Sequence, residues 1–310
     1  MSKYNKYKKN TPILEQFRSF YFQNNPKDME QALEYFCVFG GMGWSVDMDK
    51  PLDELIESKV YNNYRYIHAD ITTITQSDKI SHSLLSGAAT GDRRTHSALK
   101  RGRISRNDGE YAMDALFDGG MLEAEYSQET PPNADDRVDE KLNFTKPFMR
   151  FWFSFISPYF KSIRDGDFKE AQESFANRKQ EFLELTFLKL AKEVVKKSFK
   201  DDPIKEIGSY WDRNTEIDIL AKTVSGKVIV GITKYPKSKA KKSELTKLKE
   251  QCALAELKPD VCVVISKSGF TNELKTLKGA DLKLLALKNF RSIVEDLSER
   301  DFIDCDGKRY

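Results

Sequence analysis

Apolar residues in the first part of the chain, to about residue 126, recur at helical spacing, so this region is predicted to be mostly helical. One such segment runs from Lys27 to Phe39. The glycine-rich run Gly40 to Gly43 follows it directly and is expected to stop the helix.

Three further helices and a strand are predicted before residue 126. Amphipathic segments cover Ile80 to Ala89 and Thr95 to Lys100, and Ser105 is a typical N-cap for the next helix. That helix is expected to end at the pair Gly119 and Gly120. Met121 to Tyr126 is then predicted to be a short strand.

The second half of the chain has a different pattern. Glu181 to Lys197 is a strongly patterned helix. Three strand-like runs follow, at 204–211, 215–222 and 227–234. A lysine-rich helix at 241–256 comes next, and then apolar strands at 260–266 and 282–287. The order α-β-β-β-α-β predicts a three-layer α/β fold.

Two segments separate these halves. Ser127 to Glu140 is rich in Pro, Asn, Asp and Glu and is predicted to be an exposed connection. Pro147 to Pro158 is densely aromatic, and such a stripe is typical of a buried interdomain helix. The predicted division is 1–126 helical domain, 127–180 linker with the aromatic helix, 181–290 α/β domain and 291–310 C-terminal tail.

Length and composition fit a soluble protein with two cores. The chain has 310 residues, 39% hydrophobic and 32% charged, and no apolar run of about 18 residues that would span a membrane. The basic start from Met1 to Lys9 has no apolar segment after it, so a secretory signal is not expected. The four cysteines are scattered, which predicts reduced thiols rather than a zinc site or a disulfide framework. We therefore expect a cytoplasmic protein with no membrane partner.

The net charge of +3 is too small to indicate a binding partner, but the basic residues lie in clusters. The order of three helices and a strand resembles a winged helix-turn-helix, in which basic residues near the third helix hold phosphates. The phosphate contacts expected from that resemblance are Arg101, Arg103 and Arg106. A second cluster contributes Lys237, Lys239, Lys241 and Lys242, with Lys247 and Lys249 beyond them. Solvated helix faces are the alternative for both clusters, and helix-turn-helix units also bind proteins.

The α/β half carries a more specific resemblance. The string from Trp211 to Leu220 and the string from Val228 to Tyr235, preceded by the aromatic segment, resemble a domain of unknown function attached to archaeal-type ATPases. That domain is of the PD-(D/E)XK restriction-endonuclease-like superfamily. The resemblance covers roughly residues 80–290, and no GxxxxGK[ST] motif of an ATPase is present. It implies a restriction-endonuclease-like core behind a winged-helix-like domain.

The resemblance also implies a Mg²⁺ site for phosphodiester cleavage, since carboxylates would hold the ion next to a lysine. Asp218 matches the strand aspartate, Lys234 the lysine, and Glu184 (or Glu181) the helix acid. The position of the second carboxylate is occupied by Ile232, which cannot bind a metal ion.

Three functions stay open. A nuclease-like fold with a degenerate metal site would bind nucleic acid, DNA more than RNA, without cleaving it. An active Mg²⁺-dependent nuclease would need a migrated acid such as Glu216, two residues from Asp218 on the same strand. A regulatory protein-interaction module is the third, and a purely structural ion pair between Asp218 and Lys234 is an alternative to a site role for those two residues.

Overall fold

The computed structural model describes residues 10–303, so the basic segment Met1–Lys9 and residues 304–310, with Cys305, lie outside the described residues. The helices are α1 (Ile13–Asn24), α2 (Met29–Phe39), α3 (Leu52–Ile56), α4 (Tyr64–Ile74), α5 (Lys79–Ala88), α6 (Thr95–Gly102), α7 (Arg106–Asp118), α8 (Pro147–Phe151), α9 (Phe160–Arg164), α10 (Lys169–Ser198), α11 (Lys242–Leu254) and α12 (Asn272–Thr276). The strands are β1 (Leu122–Glu125), β2 (Lys141–Phe144), β3 (Ile204–Trp211), β4 (Glu216–Thr223), β5 (Val228–Lys234), β6 (Val261–Ser266) and β7 (Leu282–Ala286).

The predicted helical character of the N-terminal region is confirmed, and its helix ends follow from local chemistry. Helix α2 ends at Gly40, whose N–H donates to the carbonyl oxygen of Phe36 at 2.8 Å. Ser105 caps α7, because its hydroxyl accepts the backbone N–H of Asp108 at 3.2 Å. Helix α10 begins at Lys169, well before the predicted start at Glu181.

The second half contains a five-stranded mixed sheet with the order β3-β4-β5-β6-β7. The first two pairs are antiparallel and the last two are parallel. Each strand begins and ends within one residue of its predicted bounds, because alternating β-branched residues and polar turns mark these strands locally. Helix α10 packs on one face of the sheet and α11 on the other.

A hairpin joins the two halves of the chain. Strand β1 pairs antiparallel with β2, from Leu122 opposite Phe144 to Glu125 opposite Lys141. The connection predicted at Ser127–Glu140 is therefore the loop of this hairpin. It lies against β3, since the N–H of Gln128 donates to the carbonyl oxygen of Ser209 at 2.8 Å.

The core is continuous between the halves. One apolar cluster extends from α1 and α2 through the aromatic segment to α10 and one face of the sheet, and a second lies between the other face and α11. Phe148, Phe151 and Phe155 of the aromatic segment are fully buried in the larger cluster. This segment continues from α8 into a π-helical turn at Trp152–Ile156. In the described part of the chain no helix combines the length and apolar character needed to cross a membrane.

Candidate functional site

The site implied by the resemblance lies where β4 and β5 separate. The pairing of these strands runs from Lys222 opposite Val228 to Ile219 opposite Gly231 and stops there. Beyond that point the strands diverge and, together with α10, line a cleft of about 350 Å³. Asp218, Lys234 and Glu184 all line this cleft, although they come from three separate elements.

Asp218 accepts two hydrogen bonds from Thr233 on β5. Thr233 donates its backbone N–H at 2.7 Å and its hydroxyl at 2.8 Å to Oδ2 of Asp218. Burial raises the pKa of Asp218, and the two bonds from Thr233 oppose that effect only in part. The expected structural ion pair between Asp218 and Lys234 is wrong, because Nζ of Lys234 pairs with Oε1 of Glu244 on α11 at 3.1 Å.

Glu184 faces the same cleft from α10. Burial raises its pKa; the charges of Asp218 and Glu181 act in the same direction, and Lys234 opposes them. Three carboxyl groups therefore share one cleft, and two of them, Glu184 and Asp218, are shifted toward the protonated form.

The donor set does not fit Mg²⁺. Ile232 is 7% exposed and belongs to the apolar cluster beneath α11, so its position offers no ligand. Within residues 10–303, no group of three or more His, Cys, Asp or Glu side chains is arranged to hold a metal ion. One oxygen of the Asp218 carboxylate, Oδ2, already accepts two hydrogen bonds from Thr233.

Glu216, the migrated acid of the alternative mechanism, is not brought into the cleft. Its carboxylate is paired with Nζ of Lys141 on β2, which also lies 4.4 Å from the ring centroid of Trp211. Burial lowers the pKa of Lys141, and the charge of Glu216 counteracts this. Glu216 therefore ties the hairpin to the sheet.

The residues directly after Trp211, which contribute to the resemblance, form a hydrogen-bonded turn. Oδ1 of Asp212 accepts the N–H groups of Asn214 and Thr215, both at 2.7 Å, and its Oδ2 accepts the hydroxyl of Tyr210 at 2.6 Å. This aspartate closes the turn between β3 and β4 and does not reach the cleft lining.

Among the cleft residues that the sequence did not assign to this site are Arg93, Arg150 and Tyr235. Arg93 is paired with Glu125 of β1 at 3.6 Å. Arg150 belongs to the aromatic segment, which the sequence identifies only as core. A charged residue inside an otherwise apolar stripe was the available signal.

Two of the three arginines predicted to contact phosphate form hydrogen bonds or ion pairs within the protein. Nε of Arg101 donates to the carbonyl oxygen of Gly87 at 2.8 Å, and its Nη2 lies 3.4 Å from Asp92. Arg106 is exposed and pairs with Glu110, one turn along α7, at 3.3 Å. Arg103 is exposed and caps α6 with a φ of 55°.

The lysine cluster, which is the second basic cluster of the sequence, forms fewer ion pairs than these arginines. All six of its residues are exposed, and Lys247 lines the mouth of the cleft. Lys242 is paired with Glu273 at 3.6 Å. Lys237, Lys239 and Lys241 have no acidic partner within 4.0 Å among the residues that the structure describes.

A model of the family DUF234, described as archaeal and bacterial proteins of unknown function, matches residues 152–246. No curated protein and no solved structure matches the chain. The matched range includes Glu184, Asp218 and Lys234 and begins two residues after Arg150. It agrees with the expected domain of unknown function, and its description assigns no chemistry to the cleft.

Proposed function

We propose that this protein binds nucleic acid, DNA more than RNA, through the lysine cluster beside the cleft and does not cleave it. The observation that supports this proposal most directly is that Lys237, Lys239 and Lys241 are exposed and have no acidic partner within the described residues. They lie next to the cleft, which Lys247 also lines. Unpaired surface lysines bind phosphates and release the counterions condensed on the nucleic acid.

The fold supports this proposal. Two antiparallel strand pairs followed by two parallel pairs, with α10 and α11 on opposite faces, are compatible with the restriction-endonuclease-like core that the resemblance implies. In that resemblance Asp218 and Lys234 correspond to the strand aspartate and the lysine, and Ile232 replaces the second carboxylate. A nuclease-like fold without a second carboxylate is suited to binding rather than to hydrolysis.

A second candidate concerns the N-terminal helices. Helices α5, α6 and α7 followed by the β1–β2 hairpin resemble a winged-helix unit, with α7 in the position that would enter DNA. However, α7 carries Asp108, Glu110, Asp114 and Asp118 against one arginine, and such a helix repels phosphate. This favours a protein partner for that unit.

The test compares two triple variants of equal charge. Replacing Lys237, Lys239 and Lys241 with Ala should lower nucleic-acid affinity and reduce the log–log salt slope by about 1 for each phosphate that is no longer neutralised. The matched control replaces Arg101, Arg103 and Arg106 with Ala and should leave the slope unchanged. Affinity is measured on duplex DNA and RNA with EDTA at a series of salt concentrations.

The opposite pattern, in which only the arginine variant changes the slope, would move the binding surface to α6 and α7. No measurable binding to either nucleic acid would refute the proposal. Cleavage that appears with Mg²⁺ and is lost in Asp218→Ala would refute its non-catalytic part.

A further inference from the structure

Two buried hydrogen-bond donors in the cleft lack partners. Nε of Arg150 and the hydroxyl of Tyr235 are both inaccessible to solvent, and neither is bonded to any atom of residues 10–303. Both residues line the same cleft, and Tyr235 is 5% exposed. Buried polar groups in proteins are nearly always hydrogen-bonded, so orphaned donors on two residues of one cleft lining indicate an acceptor supplied from outside.

The guanidinium of Arg150 also has no carboxylate in direct contact, although the charge of Glu181 acts on it from a longer distance. Its Nη1 donates to the carbonyl oxygen of Phe182 at 2.7 Å, and the guanidinium lies 4.4 Å from the ring centroid of Phe182. No carboxylate of the described residues lies within 4.0 Å of it. Burial lowers its pKa to about 9, and the nearby charge of Arg93 acts in the same direction. A buried cation with only neutral partners is costly, and an anion would offset that cost.

The rest of the cleft favours an anion with several oxygens. Four cationic side chains line it, Arg93, Arg150, Lys234 and Lys247, against the three carboxyl groups of Glu181, Glu184 and Asp218. A tetrahedral oxyanion offers more oxygens to these donors than a planar carboxylate, which has two.

The backbone that presents these arginines is unusual. Arg150 immediately precedes the end of α8, where the chain enters the π-helical turn Trp152–Ile156. Arg93 has a φ of 61°, in the left-handed region that non-glycine residues seldom adopt. Both conformations recur at binding sites, where surrounding packing holds a side chain in place.

We propose that the cleft binds a phosphate group between Arg150 and Tyr235, independently of any metal ion. A volume of about 350 Å³ accommodates a phosphate with part of a nucleoside. The group can be free phosphate or the terminal phosphate of a strand. The second source rests on the proposed nucleic-acid binding, whereas the first does not.

The experiment measures the unfolding midpoint of the full chain against inorganic phosphate, with sodium chloride and sodium acetate at equal ionic strength as controls. Phosphate should raise the midpoint of the wild type progressively, since a ligand of the native state stabilises it by mass action. Tyr235→Phe removes only the orphaned hydroxyl. Its midpoint without phosphate should equal or exceed that of the wild type, yet the same shift should need on the order of tenfold more phosphate.

Two variants separate this effect from general stability. Arg150→Lys keeps the charge but loses the guanidinium fork, and its phosphate affinity should also fall on the order of tenfold. Tyr35→Phe removes a phenol that donates to the carbonyl oxygen of Lys50 at 2.6 Å and is not part of the cleft lining. Its midpoint should fall, and its response to phosphate should match that of the wild type.

A phosphate effect no stronger than that of chloride or acetate would overturn this site. Wild-type responses in both Tyr235→Phe and Arg150→Lys would overturn it equally. Oligonucleotides with a 5′-phosphate or a 5′-hydroxyl then distinguish the sources: tighter binding of the phosphorylated strand supports a strand end, and equal binding supports free phosphate. A phosphate response in a protein that binds no nucleic acid would refute the proposed function and leave this site standing.

Discussion

At the scale of single residues, two partly buried carboxylates show how partners determine ionisation. Glu125 loses solvation on burial, which alone would raise its pKa, but Lys192 at 2.9 Å and Arg93 at 3.6 Å hold the pKa well below its usual range. Asp218 has no cation within 4.0 Å among residues 10–303 and accepts two bonds from Thr233, so burial raises its pKa. The first carboxylate stabilises the fold in its charged form, and the second does so in its neutral form.

This contrast predicts opposite dependences of stability on pH. Because the pKa of Asp218 is raised above its ordinary value of 3.8, its contribution is complete below that value and is lost as the pH rises through the folded-state pKa. Asp218→Asn should therefore be more stable than the wild type at neutral pH, because the amide oxygen can still accept from Thr233 and no charge is desolvated. The difference should vanish in acid. Urea unfolding at a series of pH values measures it.

Glu125→Gln is the control for that experiment. The pKa of Glu125 is depressed below 4.5, so its contribution is present above that value and is lost as the pH falls. This variant should be less stable than the wild type at neutral pH, with the deficit shrinking in acid. A loss of stability in Asp218→Asn at neutral pH would show that the charged form of Asp218 is the stabilising one.

At the scale of elements, helix starts are set by short polar side chains. Asp28 caps α2, Asp78 caps α5 and Ser105 caps α7, each by accepting a backbone N–H of the first turn. These N–H groups have no partner inside the helix, so the caps determine where each helix begins. For α7 the cap also fixes how its acidic side chains are presented beside α6.

Removal of the cap on α7 gives a prediction at this scale. Ser105→Ala should reduce the free energy of unfolding by about 1 kcal/mol, since the N–H of Asp108 loses its acceptor. Ser243 lies in the first turn of α11, which begins without a side-chain cap, and Ser243→Ala should change stability by less than about 0.5 kcal/mol. Chemical denaturation compares the two. Equal effects would mean that the Ser105 hydroxyl does not act as a cap.

At the scale of the whole molecule, the hairpin and its charges join the two halves. Lys192 of α10 pairs with Glu125, Lys189 of α10 pairs with Glu123, and Lys141 pairs with Glu216. The apolar cluster beneath these pairs is continuous from α1 to the sheet. Separation of the halves would therefore expose apolar surface and leave buried charges without partners.

Limited proteolysis tests this continuity. The first cut is expected in Ser127–Glu140, where residues 132–135 are exposed, and the aromatic segment should be protected. The two fragments should stay together through size-exclusion chromatography without denaturant and separate only in urea, because β1 and β2 remain paired and the core remains shared. Fragments that separate in native buffer would show that the halves are independent domains.

The sequence by itself determined the features that depend on neighbours along the chain. The strands of the sheet, the cap at Ser105 and the end of α2 at Gly40 follow from side-chain alternation and from local hydrogen bonds. The resemblance placed Asp218, Lys234 and Glu184 in one site, and they do line one cleft. It also identified Ile232 as the missing ligand.

Only the tertiary structure decided which partners these residues meet. Glu216 is bound by Lys141 and Lys234 by Glu244, and neither pairing has a signal in local spacing. Arg150 and Tyr235 are far apart in the chain and line the same cleft. The physical reason is that burial and solvation depend on every element packed around a group. Whether a charge is compensated therefore becomes defined only when the chain has folded.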